Sequence, residues 1–283
     1  MKLKYLTTIL LGTLLLQACK STPEPAMALP SGFAQHTQLL PLKHPNIMFT
    51  DDAWHQQIGA FQLTNMDLSS ITTERVSSGT SWQTKGRGGL LFQLIFHDHV
   101  DFSGHFIDRF NTRAEQNFSF QIQATGQAPV HAQCQILLFG IVEESQDNDV
   151  YHDDLRKSAP SSSYLGCKLT QQGLVSQLVV EESVGAKPKV RLHQGSKPVA
   201  VSLAAVAPGI AQYNANFHGG TAGYLLANDD QTQAALQLSR NQSRLWLRQD
   251  LPAAQQQWLV AALFSLQMFD WQNDPSPMDT LNP

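Results

Sequence analysis

Two histidines one residue apart are the first feature of this sequence that could do chemistry. They stand in Phe96-His97-Asp98-His99-Val100-Asp101, with His105 and Asp108 just beyond. On an extended backbone His97, His99 and Asp101 fall on one face, opposite Phe92, Leu94 and Phe96. Residues two apart on a strand are rooted about 7 Å from each other, close enough for two imidazoles to converge on one ion. Asp101 or His105 as a third ligand would complete a zinc-like site with one open position. The competing reading, and the preferred one, is a solvated strand end running into a turn over Asp101 to Gly104.

Other polar clusters are less specific. Asp147-Asn148-Asp149, with Asp153 and Asp154 nearby, has the acidity of a calcium loop but lacks the loop glycine and terminal Glu of an EF-hand. It reads as a solvated loop. His218-Gly219-Gly220 has the look of an oxyanion-hole turn, yet no Gly-x-Ser-x-Gly nucleophile accompanies it. Lys187, Lys189, Arg191, His193 and Lys197 form the one basic stretch. It could touch anionic headgroups, each charge contributing on the order of 1 kcal/mol near such a surface, or be an exposed hairpin. The sequence carries no His-Glu-x-x-His, Walker loop or dinucleotide fingerprint.

The elements that must carry these residues begin with an export signal. Lys2 and Lys4 precede an apolar run from Leu6 to Leu16, too short for a stable membrane span. It ends in Leu16-Gln17-Ala18-Cys19, which resembles the lipobox of bacterial lipoproteins. The resemblance implies cleavage after residue 18 and a diacylglycerol thioether plus an N-acyl chain on Cys19, with no other cofactor. Several chains together anchor a protein stably where one does not. In that family Asp after the Cys retains the protein in the inner membrane. Lys20 stands there instead, so the expected address is the periplasmic face of the outer membrane.

Removing residues 1–18 takes the formal charge from −4 to −6. A mildly acidic chain with 15% charged residues has no electrostatic footprint for nucleic acid, and 42% hydrophobic content is that of a globular domain. Besides Cys19 there are two cysteines, Cys134 and Cys167. In an oxidising periplasm they are expected to pair. The rival role, a Cys nucleophile, finds no recognisable protease signature.

Residues 19–45 read as the lipidated N-terminus and a flexible tether, because Pro23, Pro25, Pro30, Pro41 and Pro45 stand among small and polar residues. Residues 46–283 read as one β-rich domain. Phe118, Phe120, Ile122 and Ala124 alternate with polar residues, as do Leu90 to Phe96. Val130 to Val142 is more continuously apolar, as for a strand buried on both faces. Further strands are expected at 58–64, 174–180, 189–193, 199–206, 223–227, 234–240 and 244–248. The end of the chain breaks the pattern. Asp250 could cap a helix over 253–269 with Pro252 in its first turn. From Trp258 to Phe269 that helix is apolar almost all round, so it must be buried on every side. Only strands are available to wrap it.

A closed or nearly closed antiparallel barrel around an apolar C-terminal helix resembles the tubby-like fold of tubby C-terminal domains, phospholipid scramblases and LURP-one-related proteins. The residues carrying the likeness are Gly223-Tyr224-Leu225-Leu226, the strand from Gln233 to Arg240, Leu245-Trp246-Leu247, Asp250-Leu251-Pro252 and the helix itself. The family's phosphoinositide-binding basic residues have no matching positions, so that activity is not implied. The structural alternative is a two-sheet sandwich with the helix across one face. Function is expected to be non-catalytic: binding or scaffolding for a lipid, a cell-wall component or an envelope protein. The alternative is a metal-dependent periplasmic enzyme built on His97, His99, Asp101 and His105.

Overall fold

A computed structural model of the chain describes residues 27–43, 55–84, 104–145, 157–183, 186–205, 221–229, 231–238 and 242–273. Thirteen strands lie among them: β1 (Thr37–Lys43), β2 (Gln56–Ile58), β3 (Phe61–Leu68), β4 (Thr72–Thr84), β5 (Gly104–Ala124), β6 (Val130–Ser145), β7 (Lys157–Gln171), β8 (Leu174–Ser183), β9 (Lys189–Gln194), β10 (Lys197–Ala205), β11 (Thr221–Asn228), β12 (Gln231–Gln237) and β13 (Gln242–Arg248). One long helix, α1 (Ala253–Asn273), follows. Twelve strands form a single antiparallel sheet in the order β1-β13-β12-β11-β10-β9-β8-β7-β6-β5-β3-β2, with β4 paired to β5 off this path. The two ends, β1 and β2, meet through side-chain bonds, so the sheet is a nearly closed barrel and the sandwich alternative is set aside.

The alternation in the sequence sets which side each residue faces. Phe118, Phe120 and Ile122 on β5, and Val130, Ala132 and Ile136 on β6, are buried inside. Their neighbours Gln121, Gln123, Gln133 and Gln135 lie on the outward register. β6 is therefore buried on one face over its first half, where the apolar run suggested both. Between β7 and β8 the two-residue turn Gln172-Gly173 has positive φ at both positions, 50° and 80°, the twist a tight hairpin needs. It fixes the register of Thr170 opposite Val175 and Cys167 opposite Leu178.

α1 runs along the barrel's interior. Residues 257–269 are all buried, and Trp258, Leu259, Leu263, Phe264 and Leu266 are each no more than 2% exposed. The Phe264 ring meets that of Phe120 edge-on at 4.9 Å. Two of the helix's buried polar side chains bond inside the barrel, as burial favours. Gln257 Nε2 donates to the carbonyls of Ile122 (2.7 Å) and Ala128 (2.9 Å), and Ser265 Oγ donates to the Ala261 carbonyl at 3.0 Å. Asp250 does not cap the helix. Its carboxylate accepts from Arg248 Nε at 2.8 Å, a bond that holds its pKa below the ordinary value. The helix begins one residue after Pro252, whose carbonyl accepts from the Gln255 and Gln256 amides.

The tether expected over 19–45 is corrected for residues 27–43. Met27 and Phe33 are buried on the outside of the barrel with Ala204 and Ala235, beside Leu225 and Trp246. A Cβ at Gly223 would meet the Leu236 carbonyl oxygen at 1.9 Å and Met27 Sδ at 2.7 Å, so glycine is what lets the backbones approach there. Residues 37–43 add β1 to β13, with Pro41 opposite Arg244. Proline lacks a ladder donor but is tolerated where one edge has no continuous strand neighbour, which is the position of β1 at the seam.

Candidate functional site

The described outer surface carries a groove of about 930 Å3 across β3, β5, β6, β7 and β8. Its geometry follows from one pair. Cys134 and Cys167 stand directly opposite each other on β6 and β7, with sulfurs 2.06 Å apart. Both point inward, 5% and 6% exposed, and Cys134 Sγ lies 3.7 Å from Ser265 Oγ of the helix. The bridge belongs to an apolar row across the wall, Leu68-Phe118-Cys134-Cys167-Leu178-Leu192.

Because side chains alternate, the rows on either side of the bridge face outward. One is Ser119-Gln133-Lys168-Gln177, running on to His193. The other is Asn117-Gln135-Gly166-Val179, running on to Arg191. These rows form the groove. Gly166 lies near its middle, and a Cβ there would meet nothing within 4 Å.

One wall of the groove is held by a carboxylate. Glu115 accepts from Gln135 Nε2 at 2.7 Å and from Asn117 Nδ2 at 3.5 Å, and Arg113 donates to its other oxygen at 3.1 Å. The amide nitrogens of Asn117 and Gln135 are thereby turned to the wall, leaving their carbonyl oxygens as acceptors. Beyond this wall the Tyr164 ring, 38% exposed, packs edge-on against Phe139 at 5.8 Å.

The basic stretch adjoins the groove, but its charge is partly spent. Lys189, Arg191 and His193 share the outward register of β9 opposite Glu181, Val179 and Gln177, and Arg191 is ion-paired with Glu181. Lys187 is exposed just before β9, and Lys197 opens β10 on the opposite register, across from Gln194. The five residues therefore do not make one positive face.

His97, His99 and Asp101 lie outside the described residues, as do Asp147, Asn148, Asp149, Asp153, Asp154 and the His218-Gly219-Gly220 turn. His105 enters β5 opposite Gln83 of β4. Among the described residues no three His, Cys, Asp or Glu side chains are grouped so as to hold a metal ion. Among the described residues no helix is long and apolar enough to cross a membrane. Cys19 also lies outside the described residues. No protein-family model, curated protein or solved structure matches the chain.

Proposed function

We propose that this chain is a lipid-anchored protein of the bacterial envelope, held through Cys19 at the periplasmic face of the outer membrane, with its barrel serving as a non-catalytic binding or scaffold domain. The observation that carries the binding half is the filled interior. Residues 257–269 of α1 are buried without interruption, so side chains occupy the space where an open barrel would hold a ligand. Recognition then falls to the outer surface, where the groove over the disulfide presents hydrogen-bonding groups. The outward Gln121, Gln123, Gln133 and Gln135 suit a water-facing wall, the reverse of the apolar belt of a membrane-spanning barrel. The helix-filled barrel also supports the tubby-like likeness proposed from residues 223–269.

The anchor is tested by feeding cells labelled fatty acid and fractionating them. Wild-type protein takes up label and stays with the outer membrane, and Cys19→Ser does neither. Continued labelling of Cys19→Ser removes the anchor from the proposal. Metal analysis of tag-free protein tests the non-catalytic half. A stoichiometric metal that disappears in His97→Ala/His99→Ala replaces this reading with the metal-dependent enzyme.

A further inference from the structure

We propose that the groove over Gly166 is a glycan-binding site that holds a neutral sugar chain of the cell wall, a reading that rests on the envelope function above. The starting point is a glycine the fold does not require. Gly166 sits inside β7 without a positive φ, and an added Cβ there meets nothing within 4 Å. Glycine inside a strand weakens it and often marks a place where another molecule approaches the backbone closely. Neither a turn nor a close contact within the protein accounts for this one. What the missing side chain leaves is a bare floor between Gln135 and Val179, its cross-strand neighbours, two residues from the Tyr164 ring.

The chemistry around that floor matches a sugar. A pyranose has apolar C–H faces and a rim of hydroxyls that each donate and accept. Val179 and the exposed part of Tyr164 offer apolar contact. Carboxamides both donate and accept, and the side chains of Gln133 and Gln177 are exposed on the outward face of the wall. The oxygens of Asn117 and Gln135, oriented through Glu115, add fixed acceptors and lower the ordering cost of binding. The groove is lined by one cation, Lys168, and one anion, Asp67, and the Glu115 carboxylate of its wall is paired with Arg113, so its charges balance and do not select an anionic polymer or a lipid headgroup. Its span from β3 to β8 covers four strand spacings, roughly 19 Å, the scale of several linked sugar rings.

The experiment uses the full lipidated chain in detergent micelles, with purified sacculi for co-sedimentation and chitotetraose for titration. Wild type should bind both, with affinity little changed when the salt concentration is raised, since no ion pair is being screened. Gly166→Val fills the floor with a residue that suits a strand. It should melt no lower than wild type and lose about tenfold or more in affinity, equivalent to about 1.4 kcal/mol. Gln133→Ala/Gln177→Ala, both on the solvent side, should weaken binding at unchanged melting temperature and keeps the test decisive if Gly166→Val folds poorly. The inference is overturned if wild type binds neither probe, if both variants bind as wild type does, or if binding collapses with salt. Cross-linking of an envelope protein at this groove without glycan binding would sink the glycan inference and leave the envelope reading intact. Loss of the Cys19 anchor would do the opposite.

Discussion

The side-chain carboxamide of Gln56 makes with Lys43 the two hydrogen bonds that a neighbouring strand would make. The Lys43 amide donates to Gln56 Oε1 at 3.1 Å, and Gln56 Nε2 donates to the Lys43 carbonyl at 3.3 Å. The same carbonyl lies 3.4 Å from Gln267 Nε2, which reaches it from the buried helix. One backbone unit of β1 thus joins both ends of the sheet and the core inside it.

Gln56→Ala removes the seam's two bonds and leaves water to replace them. A net loss of about 1 kcal/mol is expected, or about 2–4 °C in melting temperature for a domain near this size. The local signature is sharper than the global one: the Lys43 amide should exchange hydrogen faster while amides in β6 and β7 stay protected. Unchanged exchange at Lys43 would mean that the seam is closed by something other than Gln56.

The disulfide has a distinct signature. Cys134 and Cys167 enclose a separation of 33 residues, for which the chain-entropy estimate is about 3–4 kcal/mol. Cys134→Ala/Cys167→Ala should fold but unfold at lower denaturant by an amount of that order. Since both sulfurs face the core, dithiothreitol should release thiols from native protein only as fast as the barrel opens. Thiol release within seconds from fully folded protein would show that the bridge is not part of the wall.

How legible these features are in the sequence depends on whether burial left a periodic trace. The second half of β5 alternates cleanly because its inward face meets the helix, and α1 stands out because all its faces are enclosed. β4 leaves no such trace: its residues 72–81 are exposed on both faces, so no apolar alternation marks them. β1 is masked by Pro41, a residue that argues against a strand until the seam is known. The 58–64 run is split by the turn at Gly59, between β2 and β3. The groove was the least legible of all. Ser119, Gln133, Lys168 and Gln177 come from four strands and share a row only through the register that places Cys134 opposite Cys167. The cysteine pair was visible in the sequence, but nothing there marked Gly166, one residue away, as more than a strand glycine.

The helix gives the most demanding prediction, because enclosure is a claim about every face at once. Leu259, Phe264 and Phe269 are each no more than 1% exposed, and they point in three different directions around the axis, each about 140° on from the last, since they are five residues apart at 3.6 residues per turn. A helix lying on a barrel's surface would leave one of these directions wet. Truncating a buried Leu costs about 2–5 kcal/mol and a buried Phe about 3–5 kcal/mol, and an unpaired buried carboxylate costs more unless it takes up a proton. Total stability is about 5–15 kcal/mol, so Leu259→Asp, Phe264→Asp and Phe269→Asp should each unfold the domain or lower its melting point by well over ten degrees, roughly. Gln257→Ala is the graded control. It loses the bonds to Ile122 and Ala128 at the β5–β6 connection and should cost about 1–3 kcal/mol through the carbonyls left unpaired. Circular dichroism melts of the four variants decide the matter: any one Asp substitution that melts within a few degrees of wild type places its face in water and opens the barrel on that side.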